Sequence, residues 1–137
     1  ARLERQGFLT NAQAQAVDTG QIFKFFASPP GRRLREADHV LREFKFSLLR
    51  PAGDYFPGTG DDLLLLQGVI DCAAEHGGKW TVIDYKTDRV TAETVQTRGE
   101  FYRSQVQAYA DALTEITGKP VEQTVLYFLQ PGIAVTF

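Results

Sequence analysis

Two aspartates and a lysine near the middle of the chain have the types and spacing that metal-dependent hydrolysis needs. Gly77-Gly78 predicts a two-residue hairpin turn, because glycine tolerates the positive φ angles of such turns. Counted back from this turn, Asp71 and Asp84 occupy directly facing positions within two apolar segments. Facing like charges destabilise a sheet, and burying unpaired carboxylates is costly. The pattern therefore predicts a divalent cation between them, and carboxylate oxygens suit Mg²⁺ or Mn²⁺.

The lysine is Lys86, which follows Asp84 by two residues and therefore projects from the same face of a strand. A lysine beside a metal-bound water can orient that water or stabilise charge on a phosphate. The backbone carbonyl of Tyr85 could supply a further metal ligand. This predicts attack of a metal-activated water on a phosphodiester. The alternative is an ordinary surface ion pair between Asp84 and Lys86 on an edge strand, with Asp71 closing the previous strand.

The first third of the sequence predicts short helices. Thr10-Asn-Ala-Gln13 has the form of a capping box and predicts a helix that runs to about Val17. A cluster of apolar residues between Ile22 and Phe26 predicts a second helix, which Ser28-Pro-Pro-Gly31 breaks. One more helical turn is expected to carry three arginines that either contact phosphate or form a solvated face: Arg32, Arg33 and Arg35.

The rest of the sequence alternates between strand and helix patterns. Residues 39–49 predict a strand with Phe44, Phe46 and Leu48 facing a core, and residues 63–74 and 80–88 flank the hairpin turn. Residues 98–117 predict one helix that Gly118 ends. Its apolar stripe consists of Val106, Tyr109, Ala110, Leu113 and Ile116. A strand over 121–129 follows, and residues 133–137 are expected to pair back. This order predicts a mixed α/β layer.

Composition limits the class of protein. The chain has 137 residues, 43% hydrophobic and 23% charged, which is ordinary for one globular domain, and no apolar run is long enough to span a membrane. Its one cysteine, Cys72, allows no internal disulfide and favours a reducing cytoplasm. The net charge of −2 counts against a chain that grips DNA by itself. The initial alanine and the absence of methionine suggest an excised fragment.

Three motifs in one order resemble the RecB-type branch of the PD-(D/E)XK nucleases. They are Gly68-Val-Ile-Asp71, Val82-Ile-Asp84-Tyr85-Lys86-Thr87-Asp88 and Tyr102-Arg-Ser-Gln105-Val-Gln-Ala-Tyr109. The stretch from Arg2 to Phe46 is similar to the C-terminal region of AddA-like helicase–nuclease subunits. The resemblance covers nearly the whole chain. It implies a restriction-endonuclease-like α/β fold and a single nuclease domain over residues 1–137, with a helical lead-in over 1–37 and the nuclease core over 38–137.

The resemblance also implies roles for individual residues. Asp71 and Asp84 would bind metal, and Lys86 would be the catalytic lysine. Gln105 and Tyr109 would border the site and the DNA strand; Tyr102, Gln105 and Tyr109 independently share one helix face by spacing. Tyr109 could equally be a core residue, whereas the amide of Gln105 would need partners in a core. Glu43 is a possible further site residue, or it could pair with an arginine such as Arg42 or Arg103.

Two expected features are missing from the sequence. Members of this branch carry a metal-binding histidine on an upstream helix, and neither His39 nor His76 stands in such a motif. The fragment is thus expected to begin after that helix and to be weakly active or inactive by itself. There is also no phosphate-binding Gly-x-x-x-x-Gly-Lys-Ser/Thr loop, so ATP would be used by motor domains elsewhere.

The implied activity is metal-dependent cleavage of single-stranded DNA. It would take place within a bacterial complex that contains an AddB-like partner and repairs double-strand breaks by homologous recombination in the cytoplasm, without a membrane partner. Two other functions remain open. One is a module of the same fold that binds DNA or a partner without cutting, and the other is a restriction-type endonuclease.

Overall fold

The computed structural model describes residues 19–58 and 60–137. The elements, in chain order, are α1 (Thr19–Ala27), α2 (Pro29–Arg35), β1 (His39–Pro51), a 3-10 turn (Ala52–Asp54), β2 (Leu63–His76), β3 (Lys79–Lys86), α3 (Val95–Phe101), α4 (Arg103–Thr117), β4 (Val121–Phe128) and β5 (Ile133–Thr136). The helix expected over residues 10–17 lies outside the described residues. No helix in the described part of the chain is long and apolar enough to cross a membrane.

The strands form one mixed sheet in the order β1-β2-β3-β4-β5. All neighbouring strands are antiparallel except β3 and β4, which are parallel. A parallel pair needs a long crossover, and here α3 and α4 provide it. The sheet with flanking helices confirms the predicted α/β architecture, including the final strand that pairs back.

Helices cover the sheet on both sides. On the front face, α4 packs its buried residues Val106, Ala112 and Leu113 against the core that contains Ile70 and Val82. The rear face is covered by α1 and α2, whose Phe25 and Leu34 pack on a second core. Cys72 lies in the rear core, where burial raises the pKa of its thiol to about 12 and leaves it uncharged.

The glycine hairpin sets the register of β2 and β3. Gly77 and Gly78 have φ angles of 56° and 81°, which only glycine adopts readily at both positions. Paired positions run from His76–Lys79 to Cys72–Ile83, which is the predicted register. The ladder ends one pair short of Asp71 and Asp84, so these two aspartates follow the predicted register but lie just beyond the last backbone pair.

Strand β1 changes face at Glu43. Phe44 and Leu48 pack against the front core with Phe46, as predicted, but nearer the strand's start it is Leu41 that packs there and not Val40. Glu43 has φ of 48° and is the one non-glycine residue with positive φ among the described residues. The register with β2 is the same on both sides of Glu43, so the change of face comes from the backbone conformation of this residue and not from a β-bulge.

Two helix predictions need correction. One helix was expected over residues 98–117, but the structure has two. The first, α3, begins at Val95, and Tyr102 separates it from α4. Gly118 ends α4 with φ of 70°, as predicted, but Ile116 is 46% exposed and does not belong to the buried stripe.

The segment Ser28-Pro-Pro-Gly31 joins two helices directly. Ser28 caps α2, and proline is tolerated at the first helical positions because the N–H it lacks has no partner there. A Cβ at Gly31 would lie 2.1 Å from the carbonyl oxygen of Phe25, so only glycine allows this close approach of α2 to α1.

Candidate active site

Lys86 lies at the end of β3, on the front face. Alternation along the strand places Asp84 and Lys86 on the side of Trp80 and Val82, which belong to the front core. Asp84 is buried, with 3% exposure. Lys86 Nζ lies 2.8 Å from Asp84 Oδ2 and donates a hydrogen bond of 2.8 Å to Gln105 Oε1. The structure thus brings together three of the residues predicted from the sequence.

The carboxylate of Asp84 is incompletely satisfied. Its Oδ2 is buried and lies 2.8 Å from the ammonium of Lys86, but it accepts no other contact from a donor within the described ranges. A buried carboxylate oxygen with a counter-charge but no hydrogen bond is unusual, and such groups need an explanation. A divalent cation bound here would share this oxygen with the ammonium of Lys86.

Asp71 reaches β3 through its side chain. The backbone N–H of Tyr85 donates to Asp71 Oδ2 over 2.9 Å, just beyond the end of the β2–β3 ladder. Both carboxylates also act on one tyrosine: burial, the charge of Asp84 and the charge of Asp71 together raise the pKa of Tyr109 to about 12. Asp71 and Asp84 therefore both lie near Tyr109, at the end of the β2–β3 ladder.

Tyr109 is a core residue that borders the carboxylates. It is 8% exposed, and its ring meets that of Phe46 edge-on with centroids 5.7 Å apart. The same ring covers Gly68, where a Cβ would lie 3.0 Å from Tyr109 Cε1. The two interpretations of Tyr109 are thus compatible, and the glycine of the Gly68-Val-Ile-Asp71 motif has a packing reason.

Glu43 lies at the same level of the sheet as Asp71, but it does not complete a set of metal ligands. The β1–β2 pairing passes from Arg42–Cys72 to Phe44–Ile70, which omits Glu43 and Asp71. The Glu43 side chain is exposed. Within residues 19–58 and 60–137, no three His, Cys, Asp or Glu side chains converge to hold a metal.

Neither histidine joins this site, and Arg103, which was a suggested partner of Glu43, pairs with another residue. His39 pairs with the buried Glu75 at 2.7 Å, and His76 ends β2 at the hairpin turn. Arg103 pairs with Glu100 at 3.0 Å, so it does not serve Glu43.

A network around Tyr102 was missed by the sequence analysis. The ring of Tyr102 lies beneath Lys86 Nζ, which is 3.9 Å from the ring centroid. Its hydroxyl donates to Asp88 Oδ2 over 3.0 Å, and Arg98 Nε donates to the same oxygen over 2.6 Å. Two features of the sequence could have predicted this network. Asp84, Lys86 and Asp88 alternate along one face of a strand, and Arg98 and Tyr102 have the four-residue spacing of neighbours on a helix.

The arginines of α2 lie on the other side of the sheet. Arg33 Nε donates to the buried Thr81 Oγ1 over 3.1 Å, and its guanidinium pairs with Glu122. Arg33 thus joins α2 to β3 and β4, whereas Arg32 and Arg35 are exposed. None of the three lies on the front face with Lys86.

The donors at the end of β3 fit a hard divalent cation. Asp71 and Asp84 supply carboxylate oxygens, one of them without a hydrogen bond, and the carbonyl of Tyr85 lies between Asp84 and Lys86 in the chain. A lysine beside one of these carboxylates matches hydrolysis by a metal-activated water.

The mixed sheet and this site define a nuclease domain. Residues 3–134 match the family model of the PD-(D/E)XK nuclease superfamily, and the chain belongs to that superfamily. The fold expected from the sequence is confirmed, and members of this superfamily generally use divalent metals.

Within this superfamily, the chain is similar to curated proteins of one kind. The chain is 39% identical over 133 residues to an ATP-dependent helicase/nuclease subunit of Desulforamulus reducens, covering 95% of this chain and 11% of that protein. The subunit of the same name from Alkaliphilus oremlandii is 38% identical, with 87% and 10% covered, and that from Bacillus pumilus is 32% identical, with 98% and 12% covered. These matches confirm the predicted similarity to AddA-like subunits. The chain spans about a tenth of the length of these relatives.

Proposed function

We propose that this chain is the Mg²⁺-dependent DNA nuclease module of a helicase–nuclease that processes broken DNA ends for homologous recombination. The observation that carries the proposal is the ion pair between the buried Asp84 and the partly exposed Lys86, with Gln105 on the lysine and Asp71 beside β3. Burying a carboxylate costs free energy that pairing with a lysine offsets only in part, so chemistry explains this pair better than stability does.

Each residue has a role in this proposal. Asp71 and Asp84 would hold the cation, with the Tyr85 carbonyl as a further ligand. When bound, the cation would lower the pKa of a water and stabilise charge on the phosphate. Lys86, which Gln105 holds at 2.8 Å, would donate to a phosphate oxygen, and Tyr109 would close the apolar side of the site. Glu43 stays a possible contributor.

The setting of the module is also proposed. The names of its relatives combine helicase and nuclease, so the substrate would be a single DNA strand delivered by an ATP-driven motor. An AddB-like protein would be the partner, in the bacterial cytoplasm. A net charge of −2 suits a domain that leaves the grip on DNA to other parts. Residues 1–37 would lead into a nuclease core over residues 38–137.

A module that binds without cutting is the second candidate. It is favoured by one observation: no three ligand side chains converge in the part of the chain that the structure describes. For the same reason we expect the 137-residue chain to cleave weakly by itself. The cleavage tests below therefore use the complete encoded polypeptide.

The test measures cleavage of end-labelled single-stranded DNA with Mg²⁺, with Mn²⁺ and with EDTA. We expect cleavage only with metal, and we expect Asp84→Asn and Lys86→Met each to reduce it by at least about 100-fold. Asp61→Asn is the matched control, because Asp61 is exposed in the loop before β2. Cleavage that persists in EDTA or in Asp84→Asn would exclude the proposal, and DNA binding without any cleavage would favour the second candidate.

A further inference from the structure

We propose that Tyr102 is a positioning residue for the catalytic lysine, whose ammonium it holds over the face of its ring. This rests on the proposed nuclease function. Lys86 Nζ lies 3.9 Å from the ring centroid, within the range in which a cation is attracted to an aromatic face. The Lys86 side chain is 14% exposed, so little water competes with this contact.

The Tyr102 ring is held in its orientation from the opposite end. Its hydroxyl lies 3.0 and 3.1 Å from the two oxygens of Asp88, to which it donates. Asp88 in turn pairs with Arg98 at 2.6 Å, and Arg98 Nη2 lies 3.4 Å from the Tyr102 hydroxyl. These contacts join the segment that follows β3 to the end of α3. One face of the Tyr102 ring remains directed toward Lys86.

The helix break places Tyr102 at this point. Tyr102 ends α3 and precedes α4, with φ of −94° and ψ of 0°. Its N–H donates to the Gly99 carbonyl over 3.0 Å. A Cβ at Gly99 would lie 2.9 Å from Val135 Cγ1, so glycine lets α3 pack closely on β5. The close packing of α3 on β5 at Gly99 therefore fixes the position of the break.

A ring face suits this task better than another carboxylate would. Asp84 attracts the ammonium toward itself, and a second carboxylate would repel the phosphate that the lysine must reach. The attraction of a ring face is spread over the ring and needs no fixed hydrogen-bond direction. Lys86 can therefore turn from Asp84 toward a phosphate oxygen while it stays over Tyr102. This role affects the reaction step more than the binding of DNA.

The test compares two substitutions of Tyr102 in the complete encoded polypeptide. Tyr102→Leu removes the ring, and we expect kcat to fall about tenfold while KM for single-stranded DNA changes by less than about twofold. Tyr102→Phe keeps the ring but loses the hydrogen bond to Asp88, and we expect its kcat to lie between those of Tyr102→Leu and the unaltered protein. Phe23→Leu is the control, because it removes an exposed ring on α1, away from Lys86 and Tyr102.

The outcomes separate this proposal from the nuclease function. If Tyr102→Leu leaves kcat unchanged, or if Phe23→Leu lowers kcat equally, Tyr102 has no specific positioning role, whereas the nuclease function stands. If Tyr102→Leu raises KM and leaves kcat unchanged, the residue binds DNA and the proposal is also wrong. Absence of cleavage in the unaltered protein refutes the nuclease function, and the positioning role with it.

Discussion

The backbone N–H of Tyr85 donates to the carboxylate of Asp71 over 2.9 Å, beyond the last paired position of the β2–β3 ladder. A side chain thus takes the place of a carbonyl acceptor at the point where the two strands separate. This hydrogen bond fixes one carboxylate oxygen of Asp71 relative to Asp84, which is the neighbour of Tyr85 in β3. Asp71 therefore combines a structural contact with its proposed role at the metal.

The double role of Asp71 predicts different effects for two substitutions. Asp71→Asn keeps an oxygen for the Tyr85 N–H and removes repulsion with Asp84, so we expect the free energy of unfolding to be unchanged or higher. Asp71→Ala leaves the N–H without this acceptor and should lower it by about 1–3 kcal/mol. Both should abolish DNA cleavage. Urea denaturation and cleavage assays check this; equal destabilisation by both variants would contradict the structural role.

The positive φ of Glu43 predicts a stabilising substitution. A non-glycine residue in this conformation costs about 1–2 kcal/mol, and glycine relieves most of that cost. We expect Glu43→Gly to raise the free energy of unfolding by up to about 1 kcal/mol, since the greater freedom of the unfolded chain offsets part of the gain. Lys45→Gly, in the same strand at an ordinary φ, should lower it by about 0.5–1 kcal/mol.

Measurements of DNA cleavage by the same Glu43 variant test whether the strained conformation of Glu43 serves the candidate site. Loss of cleavage together with a gain in stability would assign Glu43 to the site. Unchanged cleavage would leave Glu43 as a strained residue of the sheet alone. A loss of stability in Glu43→Gly equal to that in Lys45→Gly would contradict the strain.

The contacts of Asp88 predict a pH dependence of stability. Burial opposes ionisation of this carboxyl, but hydrogen bonds from Arg98 and Tyr102 and the charge of Arg98 outweigh it, so its pKa is lowered. A carboxyl with a lowered pKa stabilises the fold above its unfolded pKa of about 3.9, and the effect is lost as pH falls through the folded pKa. We therefore expect Asp88→Asn to be destabilising at neutral pH, by an amount that shrinks below about pH 4.

Urea midpoints of Asp88→Asn and the unaltered chain, compared at neutral and acidic pH, give the measurement. Asp61→Asn is again the control, because its exposed carboxyl lies in a loop and should give no such pH-dependent difference. A difference that stays constant with pH would mean that the charge of Asp88 does not stabilise the fold.

The parts of the fold that the sequence predicted are those that depend on residues close together in the chain. Gly77 and Gly78 fix the turn, and the alternation of strands then places Asp84 and Lys86 on one face without knowledge of anything distant. The end of the ladder at Cys72 and Ile83 depends instead on the side chain of Asp71, which counting along the chain does not reveal. The same limit applies to Glu43, whose change of face is a property of the folded sheet.

The helix break at Tyr102 shows a second limit. Helical periodicity continues through residues 98–117, so the pattern predicts one helix. The break is decided by contacts distant in sequence: Gly99 against Val135, and Tyr102 between Lys86 and Asp88. The candidate site was thus predicted where its residues share a strand, and missed where it depends on the packing of α3 and α4.

The position of Arg33 predicts that it serves the fold and not the DNA. Its guanidinium lies on the rear face, where it donates to the buried Thr81 and pairs with Glu122. We expect Arg33→Ala to lower the free energy of unfolding by about 1 kcal/mol, since it removes one hydrogen bond and a half-exposed ion pair. Cleavage of DNA and its dependence on salt should stay unchanged, because neutralising a phosphate contact would alter that dependence. Arg32→Ala, in the same helix but exposed, should change stability by less than about 0.5 kcal/mol. A weaker salt dependence of DNA binding in Arg33→Ala would instead place the rear face against DNA.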